Sequence, residues 1–340
     1  DDWMLENAIS AGADCRIGDT VHEVVVSKTG PHELILRSGE SLLASNLILA
    51  DGPQRSITLG VLDQLLPPGV ATKALGTTTA NHIAYQEYRE LPSDLFEPNK
   101  IKFWWGHIPG HTAYPWIFPN EGNTARIGIT MPIGMDIDSF KNRDSYLLLR
   151  PEDTQIPRCS DYIERLLSFV YPDLDLSDFP LVSQKGKRKG TETYPISSTR
   201  PIDSPGHANI AITGGAMGAT SAFHEGGAHV AIRTGKIAGT LAARGQLEQY
   251  NTQWKSAIGT EIRRNVAFAN LVRGFSPSDW DNVFQITNRV LAGDDTSSIL
   301  SALRRAGFGG FKLLSAYKKE KFTLRNGRYV QIAESDYQPL

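Results

Sequence analysis

Hydrophobic and polar positions follow two periods along this chain, one typical of helices and one typical of strands. Residues 2–11 place apolar side chains at helical spacing. Short apolar runs follow at 21–28, 32–37 and 46–50, separated by turns that contain glycine. These runs predict the strands of a three-stranded meander.

The middle of the chain predicts a second domain that is built largely of strands. Residues 71–132 are rich in β-branched and aromatic side chains, which pack well on a pleated sheet. Residues 136–184 predict mostly helical and irregular structure, and 161–171 carry a clear apolar helical face.

The C-terminal half predicts one buried strand followed by helices. Residues 208–213 form an apolar run with the length of a buried strand, and a helix begins near Ala228. Five apolar residues of that helix are available to face a core: Val230, Ile232, Ile237, Ala238 and Leu241. Apolar residues then recur every three or four positions across 247–266, which predicts one long amphipathic helix, and shorter helices are predicted at 278–291 and 296–305.

Composition and charge narrow the class of protein. The 340 residues suffice for a large core and two domains, and 40% of them are apolar. Lys and Arg total 35 against 37 Asp and Glu, so no net basic field favours nucleic acid as a partner. No apolar run reaches the ~18–20 residues of a membrane span, and no signal peptide is visible. Cys15 and Cys159 cannot build a disulfide framework or a four-ligand metal site, which fits a reducing, cytoplasmic compartment.

A cluster of glycines between the predicted strand and the predicted helix is the strongest local signal. Its members are Gly214, Gly215, Gly218, Gly226 and Gly227. Such glycines allow a sharp turn or the close approach of a ligand. The helix N-terminus beyond them presents free N–H groups and the positive end of the helix dipole. The cluster predicts a place for an anion or an electron-rich carbonyl; a tight structural turn is the alternative.

The order of this segment resembles the late flavin-contacting segment of the FAD-dependent geranylgeranyl reductase and aromatic hydroxylase superfamily. In that family the pattern is G-D-A-A-G, a short loop, and then G-x-G at the start of a helix. The matching residues are Gly214, Gly215, Ala216, Met217 and Gly218, and then Glu225, Gly226 and Gly227. The family's aspartate, which contacts the flavin ribityl chain, falls on Gly215, and its loop proline falls on Ala222.

Two further motifs stand in the family's order. Asp51 and Gly52 match its Asp-Gly motif, which lies near the FAD pyrophosphate and ribityl chain. Tyr114, Trp116 and Phe118 stand in a Y-x-W-x-F-P pattern that is typical of geranylgeranyl reductases, where it lines the substrate cavity near the flavin.

The resemblance implies an α/β (α+β) fold with a partial Rossmann-type FAD-binding domain, an antiparallel-sheet substrate domain and a C-terminal helical region. Residues 1–65 and the return segment 196–245 would form the FAD-binding domain, residues 66–195 the substrate domain, and residues 246–340 the helical region. The family's first βαβ unit with its G-x-G-x-x-G loop does not occur here. Because the chain opens on Asp1 rather than Met, upstream sequence is expected to be missing.

The resemblance also implies a cofactor and the residues that hold it. FAD would be held by Asp51, Gly52, Gly214, Gly215, Ala216, Gly218, Gly226, Gly227 and Ala228. Tyr114, Trp116 and Phe118 would line the site of an apolar chain, because aromatic walls supply area without unpaired polar groups; packing in the core or on the sheet face is the alternative. His224 is the candidate proton donor, or else a polar turn residue that caps the helix. The histidines show no metal-ligand spacing, so no metal is expected.

These motifs predict an FAD-dependent oxidoreductase that reduces C=C bonds of a prenyl, geranylgeranyl-type chain in isoprenoid lipid biosynthesis. A flavin-dependent monooxygenase or halogenase on the same fold is the first alternative, and a truncated relative without flavin is the second. The predicted partner is a prenyl lipid, and the electron donor would be NAD(P)H or a ferredoxin-type protein. Basic segments at 184–190 and 311–324 are ordinary protein surface or contact an anionic membrane.

Overall fold

The computed structural model of the chain describes residues 2–75, 82–108, 114–140, 143–183, 190–196, 201–272, 275–292, 309–310, 312–319 and 332–340. Its helices are α1 (Asp2–Ser10), α2 (Thr58–Leu65), α3 (Val70–Leu75), α4 (Cys159–Val170), α5 (Ala228–Ala243), α6 (Tyr250–Trp254), α7 (Thr260–Val272) and α8 (Pro277–Leu291). Its strands are β1 (Val21–Val25), β2 (His32–Leu36), β3 (Ser41–Ala44), β4 (Leu47–Leu49), β5 (His82–Glu90), β6 (Lys102–Phe103), β7 (Tyr114–Pro119), β8 (Thr124–Pro132), β9 (Thr191–Ile196), β10 (Gly206–His207) and β11 (Ile210–Ile212).

The N-terminal meander is the antiparallel sheet β1-β2-β3. The first two predicted strands are confirmed, but the assignment of the third strand to 46–50 is wrong. The third strand of the meander is Ser41–Ala44, which pairs with β2. The run 41–50 is broken by a bend at Ser45 and Asn46, after which the chain enters a different sheet. Both halves of this run are short and apolar, so the pattern alone did not separate them.

A second sheet places the two predicted glycine motifs at one edge. Its strand order is β10-β11-β4, and β11 runs parallel to β4. The predicted strand at 208–213 and the run at 46–50 are therefore neighbours in this sheet. Because parallel strands end at the same edge, the loops that follow them leave the sheet side by side.

The third sheet is antiparallel and has the order β6-β7-β8-β5-β9. Side chains alternate between its two faces. One face packs on α4, with Ile127 and Ile129 fully buried against Ile163 and Leu166 of that helix. The opposite face carries Tyr114 and the other aromatic residues of β7. The predicted strands in this part of the chain and the helical face at 161–171 are confirmed.

Two large apolar clusters stabilise the molecule. The first joins β4, β11, α2 and α5 to the helices that follow α5, and Trp254 and Tyr250 are its largest fully buried members. The second lies between the antiparallel sheet and α4. Ile332 and Tyr337, near the end of the chain, also pack in the first cluster.

Three details differ from the sequence-based expectations. The segment 71–132 does not begin with strand, because α3 covers Val70–Leu75, and the preceding helix α2 was not predicted. Ile232 of α5 is 50% exposed rather than facing the core, because it lies about 200° round the helix from the buried Val230. The predicted long helix at 247–266 exists, but a π-helical turn over Lys255–Gly259 joins its two α-helical parts.

The remaining predictions concern the C-terminal region. The helix predicted at 278–291 is confirmed as α8, whereas 296–305 and the basic loop 184–189 lie outside the described residues. Residues 312–319 are helical, with exposed lysines and half-buried leucines. Among the described helices, none combines the length and the apolar content that crossing a bilayer would require.

Candidate active site

The two predicted glycine motifs lie against each other where β4 and β11 end. Thr213 donates its backbone N–H to the Leu49 carbonyl at 2.9 Å, which fixes the two loops side by side. A Cβ added at Gly215 would lie 3.1 Å from Pro53 Cδ, so the glycine permits the contact between the loops. The structure thus brings together residues that the sequence separates by most of the substrate domain.

Arg55 links the same two loops. This role was not predicted from the sequence. Its buried side chain donates from Nε to the Ala216 carbonyl at 2.5 Å. Burial lowers the pKa of Arg55 to about 10, against the opposing influence of the Asp51 carboxylate. The guanidinium therefore stays charged at neutral pH and places a fixed cation beside the Gly214–Gly218 turn. A basic residue in a turn is common, so the sequence held no signal for this contact.

Asp51 shapes its loop by capping the start of α2. Its Oδ2 accepts the N–H groups of Ile57 and Thr58 at 2.7 and 2.9 Å, and its Oδ1 accepts the Thr58 hydroxyl at 2.5 Å. A carboxylate is favourable there because of the free N–H groups and the dipole of the helix. The next residue, Gly52, has a φ of +76°, which glycine adopts readily. Contact of Asp51 and Gly52 with a cofactor stays a prediction.

Gly214 allows α5 to pack directly on the second loop. It has a φ of +56°, and a Cβ at this position would lie 3.0 Å from Ala231 Cβ of α5. Its N–H donates to Thr234 Oγ1 at 3.0 Å, and the same hydroxyl donates to the Val230 carbonyl at 2.8 Å. The turn and the helix therefore form one rigid unit.

The N-terminus of α5 presents backbone N–H groups to the loop before it. Gly227 is its N-cap residue, and no side chain caps the first turn. A Cβ at Gly226 would lie 2.6 Å from His224 Nδ1, and a Cβ at Gly227 would lie 3.0 Å from Thr220 Oγ1. The loop thus closes around the helix end only because these positions are glycine. The N–H groups that begin at Ala228 suit an anion or the carbonyl edge of a planar ring.

The predicted aromatic wall exists on one face of the antiparallel sheet. Tyr114, Trp116 and Phe118 alternate along β7, with ring centroids 5.9 and 5.6 Å apart. Phe103 of β6 continues the wall at 5.1 Å from Phe118. Trp116 lies flat over Gly128, where a Cβ would lie 2.2 Å from the indole. The three rings of β7 form one apolar cluster, in which Tyr114 and Trp116 are buried and Phe118 is half-buried.

The aromatic wall and the glycine loop are joined by one hydrogen bond. The Tyr114 hydroxyl donates to the backbone carbonyl of His224 at 2.5 Å. Burial, and then the nearby Glu225 carboxylate, raise the pKa of Tyr114, so the phenol is neutral at physiological pH. The predicted aromatic wall and the predicted glycine loop are therefore in direct contact, and their roles toward a substrate and a cofactor stay predictions.

His224 is held by its own loop. Its Nδ1 accepts the Gly226 N–H at 3.2 Å, and its ring centroid lies 5.9 Å from that of His229. Burial and the neighbouring His229 lower the pKa of His224, so the imidazole is neutral at pH 7. Since Nδ1 accepts, the ring proton resides on Nε2. Both sequence interpretations of His224, proton donor and polar turn residue, remain predictions.

Trp105 extends the aromatic surface beyond β7, and sequence reasoning did not place it there. Its ring stacks on Phe223 of the glycine loop and on Trp280 of α8, each with centroids 5.9 Å away. Phe284 of α8 lies 6.1 Å away on the same cluster. The Trp104–Trp105 pair follows β6 in the sequence, but only the fold shows that α8 packs against Trp105.

A buried histidine and a buried carboxylate also meet at this site. His82 Nε2 lies 3.6 Å from Glu225 Oε1, and both side chains are at most 5% exposed. The sequence does mark Glu225 as unusual, because this residue occupies the position of the first glycine in the G-x-G of the family that the chain resembles. In the part of the chain that the structure describes, no group of three or more His, Cys, Asp or Glu side chains could hold a metal ion.

Comparison with known proteins gives distant relatives of one kind. No protein-family model matches the sequence. The chain is 22% identical over 319 residues to digeranylgeranylglycerophospholipid reductase 2 of Methanothermobacter thermautotrophicus, a match that covers 89% of this chain and 70% of the relative. It is 22% identical over 295 residues to the digeranylgeranylglycerophospholipid reductase of Methanosarcina mazei, covering 82% of this chain and 62% of that relative.

Solved structures with a similar fold include a reductase-like protein and a flavin-dependent enzyme. A geranylgeranyl bacteriochlorophyll reductase-like protein from Thermoplasma acidophilum superposes with a TM-score of 0.66 at 17% identity, covering 94% of this chain and 73% of that one. A flavin-dependent brominase superposes with a TM-score of 0.56 at 13% identity, covering 95% and 74% of the two chains.

The named reductase relatives, together with the shared fold, support the class of FAD-dependent oxidoreductases. Within that class, the chain is most informatively compared with the geranylgeranyl-type reductases, to which it is similar at 22% identity in sequence and 17% in structure. The predicted class of enzyme and the predicted fold class are confirmed.

Proposed function

We propose that this protein is an FAD-dependent reductase of C=C bonds in a prenyl chain of geranylgeranyl type. The observation that carries the proposal is the Tyr114–His224 hydrogen bond, which joins the aromatic wall to the glycine loop before α5. An apolar aromatic cluster and a helix N-terminus thus lie next to each other. The names of the two reductase relatives, both of which are digeranylgeranylglycerophospholipid reductases, support a prenyl lipid as substrate.

The geometry of the two loops fits a flavin. The glycine at 215 and the glycines at 226 and 227 leave room that a Cβ would fill, and the α5 N-terminus offers uncapped N–H groups. The residues proposed to hold FAD are Asp51, Gly52, Gly214, Gly215, Ala216, Gly218, Gly226, Gly227 and Ala228. When bound and reduced, FAD supplies the hydride for an alkene.

The chain's own residues perform the remaining tasks. The N–H groups at the α5 N-terminus would stabilise negative charge on a bound, reduced flavin. Trp116 and Phe118 hold the polyene flat, and the apolar wall excludes water from the reacting carbons. His224 remains a candidate proton donor. The electron donor that reduces the flavin is proposed to be NAD(P)H or a ferredoxin-type protein.

Contact with a membrane surface is proposed for the helical residues 312–319. Lys312, Lys318 and Lys319 are exposed there, while Leu313 and Leu314 are half-buried. Lysines beside apolar side chains suit an anionic lipid surface. Co-sedimentation with phosphatidylserine vesicles tests this, with phosphatidylcholine vesicles as the control; equal binding to both would contradict it.

A flavin-dependent monooxygenase or halogenase is the second candidate, favoured by the fold shared with the brominase. The two candidate enzymes differ in the molecule that accepts the electrons of the reduced flavin. A reductase transfers them to the prenyl chain without oxygen, whereas a monooxygenase consumes oxygen together with its substrate.

The test compares the wall with the opposite face of the same strand. The chain, together with any longer polypeptide that its gene encodes, is loaded with FAD and supplied with a geranylgeranyl lipid and reductant under anaerobic conditions. We expect Trp116→Ala to lose most prenyl turnover while retaining flavin absorbance. Ile117→Ala, which alters the α4 side of β7, should lower the melting temperature without this selective loss. Equal turnover in the wild type and in Trp116→Ala would overturn the role of the wall.

A further inference from the structure

The His82–Glu225 pair connects the substrate sheet to the glycine loop. His82 is the first residue of β5, and Glu225 lies two positions before the N-cap of α5. Nε2 and Oε1 are 3.6 Å apart, and the two side chains are 5% and 2% exposed. A carboxylate and an imidazole this close in a buried place stabilise each other's charged forms.

Glu225 occupies its position at a cost to the fold. Its φ is +53°, in the left-handed region that glycine favours, although its neighbours Gly226 and Gly227 lie outside that region. Burying its carboxylate opposes folding as well. Two unfavourable features at one residue inside a candidate active site are typical of a functional position.

His82 lies on the aromatic face of the sheet. His82 and Ala84 share one face of β5 because side chains alternate along a strand. Ala84 pairs with Thr130 of β8, and Thr130 pairs with Tyr114 of β7. His82 therefore belongs to the same face as the predicted substrate wall, whereas His224 is bound to its own loop through Nδ1.

Titratable groups from several elements surround the pair. Tyr114 extends from β7 and Tyr194 from β9, and burial raises the pKa of both phenols. His224 precedes Glu225 in the loop, and burial lowers its pKa. Charged groups also act on this region: Glu192 of β9 and Arg126 of β8 act on Tyr194, and Glu261 of α7 acts on His224.

We propose that His82 is the proton donor of the reduction and that Glu225 is its positioning residue. The inference rests on the proposed function. In the reaction the C=C π bond would break, one carbon would gain the hydride that reduced FAD supplies as it is oxidised, and the other would gain the proton released by the His82 imidazolium. The imidazolium becomes neutral imidazole and regains a proton from solvent. Glu225 orients the ring and stabilises its protonated form, as a carboxylate does for a catalytic imidazole in other enzymes.

The first experiment measures the pair without turnover. Histidine ring signals of the flavin-loaded and flavin-free chain are followed by NMR across pH, and the His82 signal is assigned among the eight histidines by its loss in His82→Gln. Glu225→Gln should lower the midpoint of the His82 titration by about one pH unit, because the opposite charge is removed. Glu87→Gln is the matched control: Glu87 is a buried carboxylate of the same strand that pairs with Arg89 at 2.6 Å on the opposite face.

The second experiment measures prenyl reduction. His82→Gln should lower kcat about a hundredfold or more, with flavin absorbance retained and KM nearly unchanged. Glu225→Gln should move the alkaline limb of the pH–rate profile downward by the shift seen in the His82 titration. Glu87→Gln should lower thermal stability but leave the pH profile in place.

The outcomes separate the two proposals. A wild-type chain that binds flavin but reduces no prenyl chain overturns the proposed function, and the role of His82 with it. An active wild type with wild-type turnover in His82→Gln overturns the inference alone. If His82→Gln does not fold, Glu225→Gln decides through turnover alone: a pH–rate profile that stays in place shows that the pair only fastens the loop to the sheet.

Discussion

Gly215 lies against Pro53, and a Cβ added to the glycine would lie 3.1 Å from the proline Cδ. The contact joins the loop after β11 to the loop after β4, which are the two segments proposed to hold the flavin. The family resembled by the sequence has an aspartate at this position. Here the Pro53 ring occupies the space beside Gly215. Glycine in place of the aspartate permits this close contact, and the contact in turn leaves no room for a larger side chain.

Gly215→Ala is expected to destabilise the protein by about 1 kcal/mol, because the rigid proline ring must move to admit the methyl group. Gly239→Ala is the control, since Gly239 is an exposed residue of α5 with no atom within 4 Å of its added Cβ. That change should stabilise by about 0.5–1 kcal/mol through helix propensity. Urea denaturation measures both, and a Gly215→Ala protein as stable as the wild type would contradict the contact.

Tyr114→Phe removes the hydrogen bond to the His224 carbonyl. We expect a loss of about 1 kcal/mol in stability and a several-fold weaker flavin affinity, because the loop before α5 loses its attachment to the sheet. Tyr85→Phe is the matched control, since the Tyr85 hydroxyl donates to Glu87 at 2.7 Å on the opposite face. It should cost similar stability with an unchanged flavin Kd. If Tyr114→Phe and Tyr85→Phe changed the flavin Kd equally, the hydrogen bond from Tyr114 would not be what positions the loop before α5.

The ion pair of Asp153 and Arg165 is expected to make part of the free energy of unfolding depend on pH. Arg165 donates to both carboxylate oxygens at 2.6 and 2.8 Å, and these bonds hold the pKa of Asp153 below its ordinary value despite burial. A lowered carboxylate pKa contributes stability that is fully present above the unfolded pKa of about 3.9. That contribution is lost as pH falls through the lower pKa of the folded state.

Asp153→Asn should therefore cost about 3 kcal/mol at neutral pH, because it leaves the half-buried Arg165 without its charged partner. The difference from the wild type should shrink as the pH falls below about 4. Urea denaturation at a series of pH values measures this. A difference that is constant between neutral and acid pH would show that the ion pair is not its cause.

The parts of the fold that rest on clear periodicity could be predicted from the sequence. The helix at α4 and the start of α5 at Ala228 follow from apolar spacing and from the glycines before the helix. The third strand of the meander could not be predicted, because β3 and β4 form one apolar run and only tertiary pairing separates them. Ile232 was assigned to the core by composition, whereas its angle round α5 turns it to solvent.

The candidate site was accessible to sequence reasoning only where a motif marks it. The glycines and the Y-x-W-x-F-P pattern are local, and the structure brings them together through Tyr114 and His224. Arg55 and His82 carry no local signal, because their partners lie far away in the sequence. Glu225 did carry one, namely a charged residue at a glycine position, but the reason for it becomes visible only when β5 is placed beside the loop.

Anaerobic stopped-flow absorbance tests the central claim most directly. The FAD-loaded protein is reduced chemically and mixed with a geranylgeranyl lipid, and the flavin band near ~450 nm is followed while the product is analysed by mass spectrometry. The account predicts that the band returns without oxygen and that each returned equivalent adds two hydrogen atoms to the lipid. A band that stays bleached with the lipid and returns only with oxygen would contradict the assignment as a prenyl reductase.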